Sequence, residues 1–248
     1  MRLLLVNPNT TPEMTRSLEE CARRYARADT QVTAVNPERG PVSIEGYFDE
    51  AIAAEAALEL LLRHRGRFDA YIIGCFGDPG LFAAREVMDV PVLGIAEAAM
   101  LTACTVGYRF SILDVMRRTW PQLEDLLRRY GLRDRCASIR AVEMSVLETE
   151  TKSDRVRLRL IEEARQAVEE DRAEAILLGC AGMAGLDKEI EKAVGAPVLD
   201  GVVCAVKMAE GLVDYGLSTS KVCAFQRPEK KEFKNCPEAV AAVGRGLD

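Results

Sequence analysis

The sequence predicts an α/β protein made of two similar parallel-sheet domains, related by a pseudo-two-fold axis and facing each other across a cleft. Three observations carry this. Strand-like and helix-like segments alternate through the 248 residues, the pattern of parallel sheets covered on both faces. RFDAYIIGCFGDPGL at 67–81 recurs as RAEAILLGCAGMAGL at 172–186, with seven of fifteen positions identical and the cysteines 105 residues apart. Val90-Pro91-Val92-Leu93 then recurs as Ala196-Pro197-Val198-Leu199 at an offset of 106. A shared order of elements at nearly constant offset marks duplicated halves.

The elements follow from local pattern. Leu3–Val6 is a short apolar run, too short for a signal-peptide core, and reads as a buried strand. The helix after it has Thr10 or Thr11 as N-cap, Pro12 in its first turn and Glu13 three residues after Thr10. Thr30–Val35 is a second strand and Glu45–Leu62, rich in Ala, Glu and Leu, a long helix. Strand Ala70–Gly74, helix Leu81–Met88, strand Val90–Gly94 and helix Glu97–Thr105 complete the first half. The second half repeats the order: strand Phe110–Leu113, helix Trp120–Tyr130, strand Ala137–Val142, helix Asp154–Glu170, strand Ala175–Gly179, helix Met183–Ala193, strand Pro197–Leu199 and helix Gly201–Val213. The tail carries a strand at Val222–Phe225, a charged stretch at Glu229–Lys234 and a last helix near Pro237–Val243.

Composition narrows the function. A net charge of −6 argues against nucleic acid or an anionic membrane as a standing partner, and no apolar run approaches the roughly 20 residues of a membrane span. Eight cysteines with no export segment imply free thiols in a reducing compartment, the cytoplasm. No CxxC is present, which removes the usual zinc and thioredoxin-type motifs. His64, the single histidine, sits among arginines and reads as a surface residue, so acid–base work falls to thiols, carboxylates, lysines and tyrosines.

Cys75 and Cys180 stand out because each follows an apolar strand and opens a Gly-rich turn, the edge where α/β proteins bind ligands. The positive end of a following helix is expected to lower the thiol pKa and yield a thiolate base near neutral pH. Two-fold packing sets the thiols on opposite sides of a small molecule, the arrangement that stereoinversion at carbon requires. One thiolate removes a proton, the other thiol delivers one to the opposite face, and N–H groups at Phe76-Gly77 and Ala181-Gly182 receive the enolate oxygen. Neither GxGxxG nor GxxxxGK[ST] occurs, so the glycine spacing gives little support to a nucleotide cradle. The other six cysteines read as small buried hydrophobes. Asp78 reads as the N-cap of a helix beginning at Pro79.

The segments Val6-Asn7-Pro8-Asn9-Thr10-Thr11, Gly40-Pro41-Val42-Ser43-Ile44-Glu45-Gly46, Gly74-Cys75-Phe76-Gly77-Asp78-Pro79-Gly80-Leu81 and Leu178-Gly179-Cys180-Ala181-Gly182-Met183 resemble the aspartate/glutamate/hydantoin racemase family, in its hydantoin and allantoin branch. Arg118-Thr119 and the Leu126–Leu132 segment also fit. The resemblance implies an active site between two α/β domains, 1–97 plus 214–248 and 98–213, with the tail returning to the first. It implies Cys75 and Cys180 as the acid–base pair, no metal and no organic cofactor. It also implies a pocket lined by Asn9, Ser43, Ile44, Phe76, Gly77, Thr119, Ala181 and Gly182. Asn9 has a competing role as a turn residue, and Ser43 as a cap of the helix near Glu45. Phe76-Gly77 and Ala181-Gly182 stand where acidic amino acid racemases carry Asn-Thr, which favours a neutral ring such as a 5-substituted hydantoin or allantoin. Maleate cis–trans isomerisation, aspartate or glutamate racemisation, and a non-catalytic small-ligand binding protein stay open as alternatives. A homo-oligomer is expected.

Overall fold

The structure is a computed structural model and describes residues 1–247. Two four-stranded parallel sheets organise it. The first holds β1 (Arg2–Val6), β2 (Gln31–Val35), β3 (Ala70–Ile73) and β4 (Val92–Gly94) in the order β2-β1-β3-β4. The second holds β5 (Phe110–Asp114), β6 (Cys136–Ala141), β7 (Ala175–Leu178) and β8 (Val198–Asp200) in the matching order β6-β5-β7-β8. Leu3, Leu4, Leu5 and Val6 have no exposed surface, because β1 pairs on both edges and is covered on both faces. That is why the run is continuously apolar instead of alternating.

Helices α1 (Pro12–Tyr25), α2 (Tyr47–Arg63) and α3 (Leu81–Val87) accompany the first sheet, whereas α4 (Ile95–Val106), which follows β4, packs mainly on β5, β7 and β8 of the second. Helices α5 (Trp120–Arg129), α6 (Val146–Glu150), α7 (Asp154–Glu169) and α8 (Asp187–Val194) accompany the second, α9 (Gly201–Asp214), which follows β8, packs mainly on β3 and β4 of the first, and α10 (Glu238–Arg245) ends the chain. One apolar core runs through both sheets by way of α1, α4 and α9, joining Leu18, Met100, Ile112, Leu177 and Val206. The starts of α4 and α9 meet so closely that a Cβ on Gly201 would lie 2.6 Å from the Ile95 carbonyl oxygen. A smaller core on the outer face of the first sheet holds Leu61, Tyr71, Met88 and, from α10, Val243.

Several elements depart from the sequence reading. Val222–Phe225 is no strand: Cys223–Phe225 forms a single 3-10 turn, with Val222 mostly exposed and Cys223 at φ +64°. Its β-prone residues find no sheet edge; Phe225 instead stacks edge-on to Phe82 of α3, ring centroids 5.5 Å apart. The helix placed at Met183–Ala193 begins at Asp187, because Gly185 turns the chain at φ +83° after a 3-10 turn over Ala181–Met183. The long helix of the first half starts at Tyr47, with Gly46 before it. Helix α6 was not foreseen; Ser145 caps it by accepting from the Glu148 N–H. No helix among the described residues is long and apolar enough to cross a membrane.

Candidate active site

In each sheet the chain order reverses between the central strands, between β1 and β3 and between β5 and β7, and ligands of α/β sheets bind outside the carboxyl ends of strands at such points. Asn9 follows β1 and Cys75 follows β3; Asp114 ends β5 and Cys180 follows β7. All four line one cavity of about 70 Å³. Glycine precedes each cysteine by necessity. A Cβ on Gly74 would lie 2.9 Å from Leu5, and one on Gly179 would lie 2.7 Å from the Leu113 carbonyl oxygen. Both turns therefore press onto the central strand of their sheet.

The lining is mainly apolar: Met14, Ile44, Phe76, Val115, Leu123, Val146 and Ala181. Its polar members are Asn9, Glu50, Asp114, Thr119 and Gln122. No arginine, lysine or histidine lines it among the described residues. Of the positions implied by the family resemblance, Asn9, Ile44, Cys75, Phe76, Gly77, Thr119, Cys180 and Ala181 come together here. Ser43 does not line the cavity, and it does not cap α2 either; the Glu45 N–H is taken by Asp49 at 3.0 Å. Gly182 also stays outside the lining, packed behind its cysteine beside Thr149. Asn9 does serve as a turn residue. It borders the cavity while its Oδ1 accepts from the Thr11 N–H at 2.9 Å and from Asn7 Nδ2 at 2.8 Å.

Two expectations about the turns need correction. The thiols are not acidified. Burial pushes both up, Cys180 to about 12, and proximity to Cys180 adds to the rise at Cys75. The helices begin too late to help: α3 at Leu81 and α8 at Asp187, six and seven residues past their cysteines. The Gly77 and Gly182 N–H groups, expected to meet substrate oxygen, point back at the sulfurs. Gly182 donates to Cys180 Sγ at 3.4 Å, Thr149 Oγ1 lies 3.9 Å from the same sulfur, and Gly77 opposes the rise at Cys75. They favour the thiolate locally, but burial outweighs them.

Sequence reasoning missed Asp114, Glu50 and Gln122. Asp114 is buried, and burial lifts its carboxyl to about 6 against hydrogen bonds from Thr119 Oγ1 and the Val115 N–H. The repeat carried a signal for it, since Asn7 after Val6 answers to Asp114 after Leu113. Glu50 accepts from Gln122 Nε2 at 2.5 Å, a bond between α2 and α5 that no local pattern announces. Asp78 does act as a helix cap, but of a different helix. Its carboxylate accepts from Ala96 and Glu97 at the start of α4, whereas α3 begins after Gly80.

The family model for Asp/Glu/hydantoin racemases matches residues 3–209. The hydantoin racemase of Pseudomonas sp. (strain NS671) is 47% identical over 94% of this chain and 94% of its own length. That of Rhizobium meliloti is 44% identical over 93% of this chain and 96% of its own. Among solved structures, the allantoin racemase from Klebsiella pneumoniae superposes with a TM-score of 0.92 at 43% identity, covering 95% of this chain and 96% of that one. At 16% identity and TM-score 0.64, the maleate isomerase of Pseudomonas putida S16 shares the fold alone.

Proposed function

Since the chain belongs to the Asp/Glu/hydantoin racemase family, we propose that it racemises a neutral cyclic carbon acid, a 5-substituted hydantoin or allantoin, without a cofactor, using Cys75 and Cys180 as opposed base and acid. One observation carries the reading: two thiols, delivered by equivalent turns of the two halves, border a single small cavity. In one direction the thiolate takes the ring C5 proton, and the electrons of the C–H bond move onto the adjacent carbonyl oxygen as an enolate. The second thiol then gives its proton to the opposite face of C5 and is left as the thiolate. The other enantiomer is handled by the same groups with roles exchanged.

The shifted thiols suit this chemistry. A thiolate raised by burial is scarce but strongly basic, which matches a weakly acidic C–H. Charge repulsion between the sulfurs favours one thiolate beside one thiol, the protonation state that a two-base inversion requires. The lining supports a neutral substrate. Glu50 and Asp114 border the cavity and no basic side chain among the described residues lines it, which disfavours aspartate, glutamate or the maleate dianion.

The test is the decay of optical rotation of a 5-monosubstituted hydantoin and of allantoin with the reduced protein and its Cys75→Ser and Cys180→Ser variants. The reading requires decay with the native chain and a loss of about 10²–10⁴-fold in either variant. Full activity in either single variant would exclude the paired-thiol mechanism.

A further inference from the structure

Each cysteine turn abuts a buried carboxylate that the proton transfers do not use. In the first half this is Asp78, 1% exposed, whose backbone N–H donates to the Cys75 carbonyl at 3.0 Å. Its Oδ1 accepts from the Ala96 N–H at 3.0 Å and its Oδ2 from the Glu97 N–H at 2.9 Å, both at the start of α4. The Tyr130 hydroxyl, at the end of α5 in the other half, donates to Oδ2 at 2.7 Å. In the second half the carboxylate is Asp200, 4% exposed. It accepts from the Val202 N–H at 2.8 Å in α9 and from the Gly185 N–H at 2.7 Å, in the turn that Cys180 opens. The Cys21 thiol, from α1 in the first half, donates to it at 3.3 Å.

The repeat relates the two. Gly94 and Asp200 occupy equivalent register positions, opposite Ile73 and Leu178. In the first half the carboxylate springs from the turn and the strand end is glycine; a Cβ on Gly94 would lie 2.2 Å from the Asp78 carboxyl. In the second half it springs from the strand end, and the turn supplies an N–H. The side of attachment has switched while the three-way connection is kept: cysteine turn, next helix start, opposite half. A helix cap alone needs only the helix N–H groups; the third partner, reaching across from the other half, exceeds that need.

We propose that Asp78 and Asp200 are positioning residues, each clamping one cysteine turn to the opposite half so that the two thiols stay opposed across the cavity. The inference rests on the reading of Cys75 and Cys180 as the reacting groups. Two acid–base groups carried on separate halves have no covalent constraint between them, and a displacement near 1 Å costs about 10²-fold in rate.

The experiment measures alkylation of each thiol by iodoacetamide at pH 8, site by site by mass spectrometry, in the full chain. Asp78→Asn is expected to raise the Cys75 rate about tenfold and leave Cys180 within about twofold. Asp200→Asn is expected to do the reverse, and Tyr130→Phe to move Cys75 in the same direction as Asp78→Asn but less. In racemisation Asp78→Asn lowers kcat with KM nearly unchanged. If both thiols change together, or neither changes while the melting temperature falls, the carboxylates are ordinary structural caps and the proposal is overturned. If Asp78→Asn does not fold, Tyr130→Phe, which removes one hydroxyl, decides the first half. A native chain that fails to racemise hydantoins overturns the functional reading, and the alkylation pattern still decides the clamp.

Discussion

Replacing Gly94 with alanine tests the packing behind Cys75. The added Cβ would lie 2.2 Å from the Asp78 carboxyl carbon and one oxygen, and 2.4 Å from the other. Asp78 has no slack: its oxygens hold the Ala96 and Glu97 N–H groups and the Tyr130 hydroxyl, and its backbone already sits at φ +47°. Overpacking a filled interior costs about 1–3 kcal/mol. Moving the carboxylate breaks at least one hydrogen bond to a charged group, worth about 1.5–3 kcal/mol. Gly94→Ala should therefore destabilise the fold by about 2.5–6 kcal/mol in urea titrations at pH 8, followed by circular dichroism. Asp78→Ala alone strands the Ala96 and Glu97 N–H groups. The double variant should be less destabilised than the sum of the single changes by at least about 1 kcal/mol, because the clash is gone. A Gly94→Ala protein within about 0.5 kcal/mol of the native chain, a shift typical of neutral surface changes, would refute the close contact and with it the account of Asp78.

Two further predictions concern protons. Cys136 and Cys204 are buried and shifted by burial from 9.0 to about 11 and about 12. Folding stability should then hold up to about pH 9 and fall above it, where the unfolded chain releases thiol protons that the folded chain keeps. The slope is up to about 1.4 kcal/mol per thiol per pH unit; urea midpoints that stay flat from pH 8.5 to 10.5 would contradict this. The thiolate is the base and Cys180 is lifted to about 12, so log kcat/KM should climb with pH between 6 and 9, approaching unit slope. A plateau beginning near pH 7 would mean that a different group sets the base.

Much of this architecture was legible because duplication writes the same message twice. Gly74-Cys75 and Gly179-Cys180 mark a strand end and a turn together, and the match at Val90–Leu93 and Ala196–Leu199 extends the shared order of elements along the chain. Contacts between halves left little trace in the sequence. Glu50 with Gln122, and Asp78 with Tyr130, are pairs separated by 72 and 52 residues whose partners sit in ordinary amphipathic helices. The thiol shift was misjudged for a related reason: a Gly-rich turn suggested a nearby helix start, whereas three-dimensional burial and the late start of α3 and α8 decide the sign. The Val222–Phe225 segment shows the opposite error, where β-prone residues lacked an edge to join.

The central claim, proton transfer at carbon between two opposed thiols, is tested most directly by following a single enantiomer of a 5-monosubstituted hydantoin, and of allantoin, in heavy water with the reduced native chain. The account predicts that the inverted enantiomer carries solvent deuterium at the stereocentre from the first turnovers, while unreacted substrate stays largely protiated, because one thiol removes the proton and the other supplies the deuteron. Deuterium entering the starting enantiomer as fast as inversion proceeds would point to a single base working on both faces. Failure of both substrates to exchange would contradict the account outright.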